Sequence, residues 1–151
     1  MAFFTLNYKQ GPGTNIIVRA TDFAGNHTRA GFPYYIKKRS FKKVFIKISD
    51  KFLNWKMPEF SPQVASTSGG PLIDTFLQVN RQMRRKNYEE IVKVTSQTET
   101  QMHWKGAFER LPRAANRAGY ADQRTYYYKK KEIDRQVHLG IDLASLANSP
   151  V

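Results

Sequence analysis

Val137-His138-Leu139-Gly140-Ile141-Asp142-Leu143 is the stretch on which the reading of this chain turns. Apolar side chains at 137, 139, 141 and 143 alternate with polar or small ones, the period of a half-buried strand. His138, Gly140 and Asp142 therefore share one face, and packing of the odd positions inward would aim His138 and Asp142 into a cleft. Four residues of extended strand span about 13 Å, too far for an imidazole and a short carboxylate to meet on one small ion. Gly140 is where the backbone can bend, because it lacks the Cβ that penalises unusual dihedrals. The stretch thus reads as a neutral nitrogen ligand and an oxygen ligand on either side of a flexible point. A catalytic zinc is normally held by three protein ligands with a fourth position left open, and this stretch offers two.

Working outward, Tyr126-Tyr127-Tyr128-Lys129-Lys130-Lys131-Glu132-Ile133-Asp134-Arg135-Gln136 leads into the His-x-x-x-Asp pair, and Ala144-Ser145 follows it. Gly119-Tyr120-Ala121-Asp122-Gln123-Arg124-Thr125 supplies a glycine, aromatic and arginine approach upstream. Together these residues resemble the opening of the lysostaphin-like, or LytM-type, zinc endopeptidases, which are cell-wall hydrolases. The resemblance implies that His138 and Asp142 match the first two zinc ligands and that the tail, Ala147 to Val151, begins the next strand. It implies a place in the cell envelope or periplasm and peptidoglycan cross-link peptides as substrate. The second family motif, His-x-His, which brings the third ligand and a general base, is absent, and neither His27 nor His103 has a histidine two residues away. No catalytic residue is assigned; zinc is expected at an incomplete site, and the chain by itself is expected to be inactive, with most of the catalytic domain missing.

A second resemblance lies near the other end. Asn15-Ile16-Ile17-Val18-Arg19-Ala20-Thr21-Asp22 reads as a strand, Phe23-Ala24-Gly25-Asn26 as a turn in which Gly and Asn tolerate positive φ, and Thr28 to Ile36 as the returning strand. Ala20 to Asn26 is similar to the last hairpin of bacterial immunoglobulin-like domains. Such a domain needs about seven strands, and only the hairpin and a further strand, Phe3 to Tyr8, fit before residue 37.

Between these ends, Phe41 to Ile48 predicts a strand with a basic solvent face. Asp50 to Pro62 predicts a short helical turn ending irregularly, and the small polar run Gln63 to Gly70 a flexible loop. From Pro71 the apolar positions recur at three and four, Ile73, Phe76, Leu77, Met83, Tyr88, Ile91 and Val92, predicting one amphipathic helix to about Thr95 with Arg85 and Glu89 in ion-pair spacing. Trp104, Phe108 and Leu111 are spaced to line a short turn or helix that Pro112 ends. The expectation is an α+β chain in four segments. Residues 1–37 end an immunoglobulin-like domain and 38–70 form a basic strand and linker; 71–103 are helical, and 104–151 open a β-rich peptidase domain whose truncated sheet edges invite self-association.

Bulk composition narrows the classes. The 151 residues carry 40% hydrophobic and 13% aromatic side chains, enough to bury a core. Absence of cysteine excludes disulfides and zinc fingers, and no apolar run approaches the roughly 18 residues of a membrane span. The formal charge of +13 attracts polyanions. It is concentrated at Lys37, Lys38, Arg39, Lys42, Lys43, Lys47, Lys51 and Lys56, with a second cluster at Arg81, Arg84, Arg85 and Lys86. Peptidoglycan or another anionic wall polymer is the expected partner. No nucleic-acid module accompanies the charge, so a specific nucleic-acid partner is not expected. The alternative to a hydrolase fragment is a non-catalytic basic envelope module that binds such a polymer or regulates a partner.

Overall fold

The computed structural model describes residues 4–60, 62–64, 71–110 and 113–145. The chain is α+β and divides into two compact units, Met1–Lys42 and Lys43–Val151.

The first unit is built on a hairpin, β1 (Val18–Thr21) against β2 (His27–Ala30), antiparallel with Val18 opposite Ala30 and Thr21 opposite His27. Asp22 closes the turn. Its carboxylate accepts the Asn26 amide N–H and side-chain NH₂, both at 2.9 Å, and its own N–H donates to the Asn26 carbonyl. The Asn26 side-chain bond holds the Asp22 carboxyl below its ordinary range, and Gly25 takes the positive φ (85°) that the turn requires. The hairpin forms where the sequence places it, but each strand has only four residues and all eight are exposed. The expected strand from Phe3 to Tyr8 does not form across its described part. There Asn7 and Gln10 bond locally, with the Lys9 N–H donating to Asn7 Oδ1 and the Asn7 N–H to Gln10 Oε1. Such side-chain bonds compete with a ladder for the same backbone groups.

The second unit centres on a three-stranded sheet in which β5 (Gln123–Tyr128) lies between β3 (Lys43–Ile48) and β6 (Lys131–Val137). β3 runs parallel to β5, with Lys43 opposite Gln123 and Ile48 opposite Tyr128; β6 is antiparallel to β5. Alternation in β3 behaves as the sequence predicts. Lys43, Phe45 and Lys47 are exposed, Val44 and Ile46 half-buried, and Ile48 buried. The strand read as part of a basic linker is therefore structurally continuous with the C-terminal sheet.

Helices cover the inner face of that sheet. Ser49 caps α1 (Asp50–Lys56), its hydroxyl accepting the Phe52 N–H at 3.1 Å, and a 3₁₀ turn, Met57–Phe60, extends it. The predicted long helix is observed as α2 (Leu72–Gln78), a π-helical turn (Val79–Met83) and α3 (Arg84–Thr95). Ile48, Leu53, Met57, Phe76 and Tyr126 form the core, with the Phe76 and Tyr126 rings 5.7 Å apart. At the π turn, buried Asn80 donates to Asp134 Oδ2 at 2.6 Å while Arg81 Nε donates to Asp134 Oδ1 at 3.0 Å, tying the helix to β6. Beyond it the amphipathic expectation fails. No residue of α3 is buried, and Tyr88, Ile91, Val92 and Val94 are exposed. The Arg85–Glu89 pair does form, at 3.8 Å.

Residues 101–110 are irregular rather than helical. Gly106 sits at φ 81°, outside helical space, although the Trp104 and Phe108 rings still meet at 5.6 Å. Leu111 and Pro112, residues 65–70 of the expected loop, and the tail from 146 lie outside the described residues.

Candidate metal half-site

β4 (Ala114–Ala118) pairs antiparallel with β7 (Asp142–Ser145), Ala118 standing opposite Asp142. The strand expected across 137–143 is broken: β6 ends at Val137, the chain bends at Gly140, and β7 starts at Asp142. The bend brings the two predicted ligands together, with His138 Nε2 3.3 Å from Asp142 Oδ1. The inward packing of the odd positions is not observed. Leu139 and Ile141 are 53% and 61% exposed, and Leu143 is also exposed. Once the strand is interrupted, alternation no longer assigns Leu139 and Ile141 to a packed face.

His138 is positioned chiefly through its backbone. Its N–H donates to the Asp122 carbonyl at 2.9 Å, and its carbonyl accepts the Ala121 N–H at 2.6 Å. Both partners lie on the turn between β4 and β5, where Ala121 is fully buried at φ 64° and Asp122 is buried. Asp122 locks that turn. Its Oδ2 accepts the Gly119 N–H at 2.9 Å, and a Cβ at Gly119 would stand 3.3 Å from Asp122 Oδ1. On the other ligand, the half-buried guanidinium of Arg124 approaches Asp142 Oδ2 at 3.5 Å, so the carboxylate lies between a cation and an imidazole.

The two side chains fit a zinc ion on one observation. His138 Nε2 is buried and has no hydrogen-bond partner, an arrangement that costs free energy in an apo protein. Zinc bonds of about 2.0–2.1 Å to nitrogen and 2.0–2.2 Å to oxygen in tetrahedral geometry set the two ligand atoms about 3.3 Å apart. The observed separation, 3.3 Å, is of that length, which is also the length of an ordinary imidazole–carboxylate contact. Among the described residues no group of three His, Cys, Asp or Glu side chains is placed to hold a metal.

Sequence reasoning singled out the two side chains that the structure brings together, and the bend between them, but missed what holds them. Arg124 was visible only as part of an approach sequence, and its reach to Asp142 depends on strand register. Ala121 carried no signal, since alanine at positive φ has no local sequence mark. Asp122 was readable as a turn-forming residue beside Gly119, but its bond back to the N–H three residues earlier is not the forward Asx bond that such a residue commonly makes. Comparison of the chain with protein-family models, with curated proteins and with solved structures returns no match. No helix among the described residues is long and apolar enough to cross a membrane.

Proposed function

We propose that this chain supplies the first half of the zinc centre of a peptide hydrolase acting on peptidoglycan cross-link peptides in the cell envelope, as its resemblance to lysostaphin-like enzymes suggests. The observation that carries the reading is the buried Nε2 of His138, which makes no hydrogen bond and has the Asp142 carboxylate 3.3 Å away. A bound zinc would polarise the scissile carbonyl and lower the pKa of its water. The chain's own part is to hold the donors. His138 offers its nitrogen from a backbone fixed by Ala121 and Asp122, and Asp142 offers one oxygen while Arg124 steadies the other.

Two donors make a weak site, and a third ligand and a general base would come from another segment. The 151-residue chain alone is therefore expected to bind zinc weakly and to hydrolyse nothing. Calorimetric zinc titration of the chain, of His138→Ala and of Asp142→Asn tests the first point: both substitutions should lower affinity at least tenfold. Affinity unchanged in both would remove the reading. Release of peptides from purified peptidoglycan by the chain alone would overturn the second point.

A further inference from the structure

Two of the least comfortable residues in the second unit are lysines. The β5–β6 hairpin closes with Tyr128 opposite Lys131, leaving Lys129 and Lys130 as a two-residue turn at φ 48° and 66°. Such a turn favours Asn-Gly, because left-handed dihedrals press a Cβ against the backbone. Lys131 follows at once, so three adjacent exposed lysines occupy the tip, with Lys129 held above its ordinary range by the Tyr128 hydroxyl first and by Asp50. Because β3 is parallel to β5, its C-terminal end lies at this same end of the sheet, bringing Lys47 and, in the first turn of α1, Lys51. A 2.6 Å hydrogen bond from the Tyr128 hydroxyl to Asp50 Oδ1 ties the two connections together.

None of these five lysines is in an ion pair with a described residue. Asp50 is engaged by Tyr128, and Glu132 is bound twice by Arg135. Backbone strain and an excess of exposed cations kept at one place point to an anionic counterpart. We propose that this lysine tip is a docking surface for an anionic phospholipid membrane.

Three features select a lipid surface over an anionic strand. Lys129 and Lys130 stand on a projecting turn with Lys131, Lys47 and Lys51 on the elements beside it, and the neighbouring cavity is walled by Asp50, Leu53, Asn54 and Leu72 rather than by lysine, so no trough tracks a polymer backbone. The ring at the tip is taken, since Lys129 Nζ lies 5.0 Å from the Tyr128 centroid, which leaves no free platform for stacking a base. All five cations are lysines, point charges without the planar fork that reads a phosphate bidentately. A plane of negative headgroups asks for none of these, and attracts each nearby lysine by about 1 kcal/mol. The proposal does not depend on the metal reading.

Co-sedimentation of the full chain with vesicles tests it, using phosphatidylcholine alone or with about a third phosphatidylglycerol at low salt. The parent should bind only the anionic vesicles. The double variant Lys129→Asn, Lys130→Gly suits the turn better than the native pair, so its thermal midpoint should hold or rise while its vesicle partitioning falls about thirtyfold. Lys47→Gln with Lys51→Gln should fall in the same direction. Lys86→Gln with Lys93→Gln, which removes equal charge from α3, should bind as the parent does. Equal losses at the two faces, parent-like binding by the turn variant, or failure of the parent to bind anionic vesicles would overturn the proposal. So would a single-stranded oligonucleotide that binds through the tip more tightly than the vesicles.

Discussion

The Ala121 N–H donates to the His138 carbonyl at 2.6 Å, so a left-handed alanine in a buried turn sets the path of the connection that carries the imidazole. Valine there would add a β-branched side chain to a position already at positive φ and fully buried. Ala121→Val should destabilise the chain by roughly 2–4 kcal/mol in urea unfolding. Its zinc affinity should fall as well, because the His138 backbone loses its clamp.

Asp122 satisfies the Gly119 N–H with a carboxylate buried in the same turn. Asp122→Ala leaves that donor without its partner and should cost about 1–3 kcal/mol. Asp122→Asn retains an acceptor oxygen and should cost less. Equal losses in the two variants would show that charge rather than the hydrogen bond holds the turn.

Asp134 is the polar link between helix and sheet. Burial opposes its charge, but hydrogen bonds from Gln136, Arg81 and Asn80 together outweigh it and hold the carboxyl below its ordinary range. A depressed carboxyl stabilises the fold fully above the unfolded aspartate pKa of about 3.9, and that contribution is lost as pH falls toward the lower folded value. Asp134→Asn should therefore be less stable than the parent at pH 7. Unfolding midpoints taken between about pH 5 and pH 2 should converge, with the parent losing more.

Lys129→Asn with Lys130→Gly relieves two left-handed lysines. Independently of any ligand, it should stabilise the second unit by about 1–2 kcal/mol. A denaturant midpoint below the parent's would show that the lysine side chains support the hairpin instead of straining it.

Local rules were legible where the chain obeys them. Alternation in β3, the short helix after Asp50, the turn ending at Asn26 and the apolar spacing through Leu77 each follow from neighbouring residues and are observed. What escaped the sequence depends on distant partners. The parallel pairing of β3 with β5 joins segments eighty positions apart, Lys43 to Gln123. The exposed apolar positions of α3 satisfy helical periodicity without a described layer to pack against. At the candidate half-site, the His-x-x-x-Asp spacing and Gly140 marked the pair that meets and the bend that lets it meet. The Ala121 and Arg124 contacts required register that only the folded sheet provides.

Those eighty positions also order events at the ribosome. At about 5–20 residues per second, β3 would wait roughly 4–16 s before β5 has been synthesised. Throughout that interval Val44, Ile46 and Ile48 form an unmatched apolar row on a nascent chain, a suitable target for a holding chaperone. Slow translation between the two strands would lengthen the exposure, making synonymous codon choice in this interval a determinant of soluble yield.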